Sequence, residues 1–302
     1  MDPTNLERFE TYRPLMFSIA YRMLGSITEA EDIVQEAYLR YQAISPERIV
    51  SHKAFLSTVV TRLCLNHLEL AKVQREAYIG PWLPEPVLTE IDERLTPGHQ
   101  AELHESLSMA FLVLLEQLTP TERAVFLLRE VFDYDYQEIA AMVGKEEAAC
   151  RQLLSRAKKH IAEHRPRFKP TPEAHRQILN HFIQAVGSGE LEGLLQLLSD
   201  DVALWTDGGG KVRGAATRSV RGRDAVAHFL LASTRLASEG FWFDIAEVNG
   251  DPSLLIHWDG QARAILTIEI DRGRVREIRV VGNPDKLQSV NRALRDAEEE
   301  TP

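Results

Sequence analysis

The C-terminal half of the chain contains a few side chains of the types that serve as general bases. Asp207, His228, His257 and Asp259 could act in this way if an apolar cavity tuned their pKa values. Their spacing singles out no catalytic pair, so a turn residue or a half-buried histidine is the favoured interpretation of each, and no catalytic residue is predicted. No His or Cys pair has the spacing of metal ligands, and we expect neither a metal nor a cofactor.

A glycine-rich stretch, Asp207-Gly-Gly-Gly-Lys211, raises the question of phosphate binding. It lacks the spacing of a P-loop, and Val212 stands where a Ser or Thr would coordinate magnesium. The stretch therefore predicts a flexible turn that suits a contact between domains.

Basic side chains form the second chemically distinctive group. The 302-residue chain has 35 Lys and Arg against 45 Asp and Glu, so its net charge is −10. Taken over the whole chain, this charge argues against binding to the phosphates of a nucleic acid. Between Arg151 and Lys169, however, Glu163 is the only acid among seven basic residues. This local excess favours a nucleic-acid contact.

The same stretch has the pattern of a helix-turn-helix. Ile139, Ala140 and Val143 predict the inner face of a short helix, and Gly144 a turn. The second helix would bury Cys150, Leu153, Leu154, Ala157 and Ile161. The outer polar side chains are of types that contact base edges and phosphates in the major groove, although a merely solvated face is the alternative. They are Lys145, Arg151, Gln152, Ser155, Arg156 and Lys159.

The elements around these groups predict several domains. Residues 1–75 have the pattern of helices, with a capping box at Thr28 and Glu31 and a third helix over about 52–73. A proline-rich linker follows at 76–98, and helices return over 99–168, with a helix start at Thr119–Glu122. Residues 171–290 alternate between helical and strand patterns and predict an α+β domain with an antiparallel meander, whereas 291–302 predicts a frayed acidic tail. The predicted helices cover 173–186, 191–198 and 224–236, and the predicted strands cover 202–206, 241–248, 254–258, 262–270 and 275–281.

The compartment is predicted from what the sequence lacks. Two cysteines cannot build a disulfide framework, and the N-terminus has no signal-peptide pattern. No apolar run approaches the roughly 20 residues of a membrane span. We therefore expect a soluble, cytoplasmic protein without a membrane partner.

Several motifs, in order, resemble those of a known family. Residues 30–40, AEDIVQEAYLR, resemble region 2.2 of bacterial sigma factors, and residues 61–68, TRLCLNHL, resemble regions 2.3 to 2.4. The helix-turn-helix stands in the position of region 4.2. Trp82–Pro86 (WLPEP), Asp207–Lys211 (DGGGK) and Asn283–Leu287 (NPDKL) are similar to motifs of one extracytoplasmic-function (ECF) sigma factor group with a fused SnoaL-like domain.

The resemblance implies a multidomain fold, with two all-α sigma domains followed by an α+β NTF2-like, SnoaL-like cone. It also implies an RNA polymerase sigma factor, not an enzyme, whose partners are the core enzyme and the −35 and −10 elements of promoter DNA. The core-binding face would consist of Asp32, Gln35, Glu36 and Arg40, which lie at helical spacing. The −10 element would be contacted by Arg62, Asn66, His67 and Lys72, and the −35 element by the outer face of the helix-turn-helix.

A regulatory role for the C-terminal domain is the accompanying hypothesis. The domain would act as an intramolecular regulator that holds the DNA-binding domains closed, with an unidentified small molecule as a further partner. The interdomain residues would be Trp82, Leu83, Pro84, Glu85, Pro86, Asp207, Gly208, Gly209, Gly210, Lys211, Asn283, Pro284, Asp285, Lys286 and Leu287. Two alternatives remain: an NTF2-like enzyme or ligand sensor fused to a helix-turn-helix, and a stand-alone transcription factor, which would leave the motifs at 30–40 and 61–68 unexplained.

Overall fold

The fold is described from a computed structural model, over residues 5–45, 48–89, 106–164, 170–234 and 240–299, without the side chains of 71–76 and 298. The chain divides into two compact units. The first, here called the helical unit, comprises Met1–Glu76 and Asp92–Arg165. The second, the C-terminal unit, comprises Ala77–Ile91 and Pro166–Pro302.

The described part of the helical unit is built from helices alone. They are α1 (Asn5–Leu24), α2 (Ile27–Gln42), α3 (His52–Glu76), α4 (Met109–Glu116), α5 (Pro120–Phe126) with a π-helical continuation (Leu127–Val131), α6 (Tyr136–Val143) and α7 (Glu147–His164). Thr119 and Glu122 form the capping box that begins α5, as predicted.

The predicted start of α2 is wrong by two residues. Its N-cap is Ser26, whose side chain accepts a hydrogen bond from the Glu29 backbone N–H. Thr28 lies inside the helix. The predicted break at Ser45-Pro46 comes after α2 has ended at Gln42, and Pro46 lies outside the described residues.

The C-terminal unit combines helices with a six-stranded sheet. Its elements are α8 (Pro172–Ser188), α9 (Leu191–Leu197), β1 (Leu198–Asp207), β2 (Val220–Arg221), α10 (Arg223–Thr234), β3 (Phe241–Val248), β4 (Asp251–Trp258), β5 (Gln261–Asp271), β6 (Arg274–Val281), a 3₁₀ turn (Pro284–Leu287) and α11 (Gln288–Glu299). The strand order is β2-β1-β6-β5-β4-β3.

The sheet is not a pure antiparallel meander. Strands β3 to β6 pair antiparallel in sequence, but β1 pairs with β6 in parallel. The short strand β2 was not predicted, and α11 continues to Glu299 where a frayed tail from residue 291 was expected.

One hydrophobic core holds the helices of the C-terminal unit against the sheet. Buried side chains from α8, α10 and four strands pack together in it, among them Leu179, Phe182, Val226, Leu254 and Ile278. Alternate residues of each strand face this core, as the period of two requires. This core therefore fixes β1, and with it the start of the loop at Asp207.

Candidate nucleic-acid interface and linker-binding site

The helix-turn-helix is formed by α6 and α7. Asp135 and Glu138 form a capping box at the start of α6, and Gly144 ends it in the left-handed conformation, with φ of 66°. In α6 the buried residues are Ile139 and Met142, so Ala140 and Val143 face the core less completely than predicted. Helix α7 buries the five predicted residues, Cys150, Leu153, Leu154, Ala157 and Ile161.

The six side chains proposed to contact the −35 element are all exposed. Acids neutralise two of them: Arg151 donates to Glu147 at 2.8 Å, and Arg156 donates to Glu122 at 2.8 Å. The Arg151 guanidinium also lies 4.2 Å from the centroid of the Tyr136 ring. The Arg151–Glu147 pair is exposed on both sides, so a DNA phosphate can replace this acid at little cost in free energy. Arg156 is also exposed, but only 14% of the Glu122 side chain is.

The side chains proposed for the −10 element have different environments. Arg62 donates from Nε to the Met142 carbonyl at 3.1 Å and from a terminal nitrogen to the Ala141 carbonyl at 2.8 Å. These carbonyls belong to the last turn of α6, which has no helical partners for them. Asn66 is exposed, and the side chain of Lys72 lies outside the described residues. His67 Nε2 lies 3.2 Å from Glu29 Oε1, an ion-pair distance when the imidazole is protonated.

Two buried arginines link the helices before residue 77 to those after residue 105. Arg22 donates to the Ser106 hydroxyl at 2.8 Å, and Arg123 donates to the Met23 carbonyl and to Glu116, each at 2.6 Å. Burial lowers the pKa of Arg22 to about 9 and that of Arg123 to about 10. Sequence reasoning missed both, although Arg22 stands out as a charge within the apolar run from Phe17 to Leu24.

Two hydroxyls add a further contact between the same parts of the helical unit. The Ser57 and Tyr134 hydroxyls lie 2.7 Å apart and are buried. We call this set of contacts, made by Arg22, Arg62, Arg123, Ser57 and Tyr134, the helical interface. It brings α3, with the proposed −10 residues, against α6 of the helix-turn-helix.

The proposed core-binding residues lie on α2. Asp32, Gln35 and Arg40 are exposed, and Glu36 is partly buried. Arg40 donates to Glu36 at 2.9 Å, so the charges of this pair offset each other. The helix buries its opposite face through Ile33, Val34, Ala37 and Tyr41.

Asp207, at the end of β1, is the centre of the linker-binding site. Its carboxylate is fully buried and accepts four hydrogen bonds. The donors are the Tyr78 hydroxyl, the Gly209 N–H at 3.2 Å, the Leu83 N–H at 2.8 Å and the Lys286 ammonium at 2.8 Å. Burial, and then the bond to Asp207, raises the pKa of Tyr78, which keeps the phenol a donor.

Lys286 joins the linker to the NPDKL segment. Its ammonium donates to the Leu83 carbonyl and lies 4.0 Å from the centroid of the Trp82 ring. Asn283 donates to the Tyr78 hydroxyl at 2.9 Å, and Ser289 donates to Glu85 at 3.1 Å. The WLPEP, DGGGK and NPDKL motifs therefore meet in one site.

The glycines of the DGGGK loop are explained by close packing. A Cβ on Gly208 would lie 2.7 Å from the Ala215 Cβ, and a Cβ on Gly209, where φ is 56°, would collide with the Asn283 side-chain amide. Neither position has room for a side chain. Lys211 and Asp285 form an exposed ion pair at the outer end of the loop, and Gly210 and Pro284 lie beside it.

The linker makes a second set of contacts that the sequence did not suggest. The Val87 N–H donates to the Asn249 side chain at 3.1 Å, and the Thr89 N–H donates to the Glu247 carbonyl at 3.0 Å. Leu88 forms an isolated antiparallel bridge with Val248 at the edge of β3. Residues 83 to 89 are buried, among them Pro84 and Pro86, so this linker is a packed segment rather than a solvated one.

The remaining candidate bases are separated from one another. His228 is exposed, its Nδ1 is 2.7 Å from the Asp224 carbonyl, and Asp259 occupies a turn with φ of 54°. His257 is buried, stacks on Trp242 and lies 3.0 Å from Asp244. In the described part of the chain, no three His, Cys, Asp or Glu side chains are placed to hold a metal ion, and no helix is long and apolar enough to cross a membrane.

Comparison with known proteins places these features in a family. Residues 8–72 match the model of Sigma-70 region 2, and residues 108–161 match that of Sigma-70 region 4. The chain is 36% identical to the ECF RNA polymerase sigma factor SigJ of Mycobacterium tuberculosis over 293 residues. The aligned region covers 93% of each chain. The chain belongs to the ECF sigma factors.

Two further comparisons extend this result. The probable ECF sigma factor SigI of M. tuberculosis is 31% identical over 294 residues, covering 95% of this chain and 96% of the relative. The crystal structure of M. tuberculosis SigJ matches 94% of this chain and 98% of its own with a TM-score of 0.75 and 34% identity. This sigma factor thus combines helical sigma domains with an α+β, SnoaL-like C-terminal domain, the fold class predicted from the sequence.

Proposed function

We propose that this sigma factor regulates its own promoter recognition through its linker and C-terminal unit. In the proposed resting state the helical interface is closed, and the linker is bound to the C-terminal unit. The observation that carries the proposal is the contact of Arg62 with the Ala141 and Met142 carbonyls, since it places a proposed −10 residue against the helix-turn-helix.

A closed helical interface is incompatible with simultaneous contact to both promoter elements. Elements named −10 and −35 lie about 25 base pairs apart, which is about 85 Å at 3.4 Å per base pair. The side chains of Arg62 and of the helix-turn-helix would have to separate by a large part of that distance. Opening the helical interface is therefore a required step before transcription starts.

The linker sets how far the two sigma regions can separate. The segment Ala77–Ile91 connects α3 to the second part of the helical unit but belongs to the C-terminal unit. Fully extended, it would span about 50 Å at 3.3–3.6 Å per residue. While Leu83 and Val87 are bonded to the C-terminal unit, that reach is not available.

Run-off transcription with core RNA polymerase tests this proposal. Replacing both Trp82 and Leu83 by Ala removes linker side chains that contact the C-terminal unit without changing its sheet. We expect several-fold more transcript than from the wild type at equal protein concentration. Ala77→Ser is the matched control, because Ala77 is an exposed residue of the same linker. An unchanged or lower yield, with hydrogen exchange showing a released linker, would contradict restraint by the linker.

The DNA surfaces require a separate test. Lys159→Ala and Gln152→Ala, in holoenzyme bound to promoter DNA, test the −35 surface. Loss of a phosphate contact by Lys159→Ala should weaken binding on every sequence and reduce the salt dependence by about one counterion. Gln152→Ala should relax specificity at single base pairs by about 1–3 kcal/mol. The exposed Arg274 of β6, outside all the proposed surfaces, supplies the control Arg274→Ala.

The core-binding face is tested on the same holoenzyme. Asp32→Ala and Gln35→Ala should lower the affinity for core polymerase, measured by pull-down, without changing the promoter sequence preference. A change in sequence preference instead would assign these residues to DNA.

A further inference from the structure

The C-terminal unit encloses a cavity that the promoter function does not use. Its volume is about 410 Å³, within the range of roughly 300–1,000 Å³ that small-molecule sites occupy. The walls come from the sheet and from α8 and α10, with Phe182, Leu204, Phe229 and Leu266 among the apolar lining. The cavity lies entirely within this unit.

Three aromatic side chains of the lining remain half in solvent. Phe241, Phe243 and Trp258 are 42%, 50% and 49% exposed. Large apolar side chains clustered in this way on a soluble domain mark a surface that something else covers. Because they also line the cavity, a ligand that enters it would cover them.

Two arginines bring positive charge to the lining of the cavity. Arg213 and Arg263 are in the lining, and Arg263 also lines an adjacent groove with Arg292 and Arg295. Gly282 lines both the cavity and the groove, and it lies close to the backbone of Arg263 and to the loop that carries Arg213. A Cβ on Gly282 would be 3.6 Å from the Arg263 carbonyl and 3.8 Å from the Val212 side chain. Within the described residues, none of these four arginines forms an ion pair.

In the part of the chain that the structure describes, no acid of the lining neutralises these arginines. Among the described residues that line the cavity and the groove, Asp207 is the only acid. Its two oxygens already accept bonds from Tyr78, Leu83 and Lys286. The same lining contains no histidine among the described residues, which favours binding over acid–base catalysis.

We propose that the cavity binds an apolar small molecule carrying one anionic group, with the apolar body among the aromatic side chains and the anion at Arg213 and Arg263. A guanidinium binds a carboxylate or sulfonate through two parallel hydrogen bonds, which makes arginine well suited to this end of the ligand. A carboxylate of an aliphatic or aromatic acid has this chemistry.

Occupancy of the cavity also bears on the linker, a consequence that rests on the proposed function. The cavity wall includes Gly208 and the residues from Val212 to Ala215, which belong to the loop that begins at Asp207. On its other side this loop contacts the linker, where a Cβ on Gly210 would lie 3.0 Å from Ile79. The loop is also closely packed at Gly208. A ligand that displaces this loop would therefore change the geometry of the linker-binding site.

Fluorescence titration of the full-length protein tests the site directly. The probes are 1-anilinonaphthalene-8-sulfonate and N-phenyl-1-naphthylamine, which share their rings and differ in the anionic group. We expect the sulfonate to bind more tightly, with energy transfer from tryptophan that Trp258→Phe reduces. Dodecanoate should displace both probes, and dodecanol should displace them less well.

Variants separate the anion site from the cavity. Arg263→Gln and Arg213→Gln should each raise the Kd of the sulfonate about tenfold and leave that of the neutral probe unchanged. Arg274→Gln, an exposed arginine outside the cavity lining, is the matched control. Ala264→Phe fills the cavity from a partly exposed lining position and should abolish binding of both probes. Val280→Phe does the same from β6, and an unchanged thermal midpoint shows that either variant is folded.

Each outcome decides a part of the proposal. Equal Kd values for both probes in the wild type and in the arginine variants would overturn the anion site. Binding that survives both cavity-filling variants would overturn the cavity. Hydrogen exchange at Leu83 and Val87 with saturating dodecanoate tests the coupling alone: unchanged exchange with proven binding would refute the link to the linker, but not the binding site.

Discussion

The helical interface and the linker-binding site are both held by polar groups, but they differ in what those groups are. Across the helical interface, arginines donate to neutral carbonyls and hydroxyls, such as those of Met23, Met142 and Ser106. Glu116, the acid bonded to Arg123, lies on the same side as Arg123, so that ion pair does not span the interface. At the linker-binding site a buried carboxylate, Asp207, accepts four bonds, one of them from an ammonium.

This difference indicates which contact opens first. When the helical interface separates, water or DNA phosphates can replace the lost acceptors, and the arginines regain the hydration that burial had removed. When the linker leaves Asp207, a carboxylate and Lys286 remain in a largely buried site with fewer partners, which is much costlier. We therefore expect the helical interface to open while the linker is still bound, and full release to need a further driving force.

The largest expected effect is at Asp207. Asp207→Asn leaves Lys286 without its counter-charge in a buried site, and it should lower the free energy of unfolding of the C-terminal unit by about 3–5 kcal/mol. Urea unfolding followed by Trp fluorescence measures it. Asp285→Asn breaks an exposed ion pair in the same site and should cost about 0–1 kcal/mol. Equal losses in the free energy of unfolding for the two variants would mean that Asp207 is not a buried acceptor that the linker-binding site depends on.

The next effect is at Arg123 in the helical interface. Arg123→Met removes the partner of the partly buried Glu116 and of the Met23 carbonyl, and it should destabilise the helical unit by about 3 kcal/mol. Thermal unfolding followed by circular dichroism gives the change. Arg13→Met, which breaks an exposed pair with Glu10, should cost less than about 0.5 kcal/mol. A loss as small as the control's would place Arg123 in solvent.

A smaller effect is expected at Arg62. Arg62→Ala leaves two carbonyls at the end of α6 to water, and it should cost only about 0.5–1 kcal/mol. Amide exchange in α6 should nevertheless become faster, because the closed state is lost more often. The exposed Asn66 gives the control Asn66→Ala. If exchange in α6 is the same in both variants, Arg62 does not hold the closed state.

The smallest effect is a dependence on pH at the linker-binding site. The pKa of Tyr78 is raised above its ordinary value of 10.0, so its contribution to linker binding is complete below that pH and declines as the pH rises beyond it. The unfolding midpoint of the C-terminal unit should fall more steeply above pH 10 in the wild type than in Tyr78→Phe. Parallel profiles would mean that the phenol is not a buried donor.

Local patterns in the sequence were sufficient for most elements. The capping box at Thr119, the turn at Gly144 and the apolar stripe of α7 each depend on residues within a few positions of one another. The same holds for the hairpin turns of the meander, where Asn249 and Gly250 both have positive φ. The error at α2 arose because Ser26 and Thr28 are both competent caps, and the choice between them depends on how α1 ends at Gly25.

Order along the chain likewise allowed the family to be predicted. The motifs at 30–40, 61–68 and 82–86 are each an unbroken run of residues, so they can be recognised without the tertiary structure. The family assignment that they predicted is confirmed. The roles of the individual site residues stay predictions, as does regulation by the C-terminal unit.

The sequence by itself determined the family, the helix-turn-helix and the alternation of the strands, because each is encoded by neighbouring residues. Tertiary structure alone decided that Asp207 is a buried acceptor for Tyr78 and Lys286, that Arg62 contacts α6 and that β1 lies parallel to β6. Those pairs are separated by about 75 residues or more, and no local pattern specifies which distant donor a buried oxygen will receive. Burial makes such a partner obligatory, and only the fold chooses it.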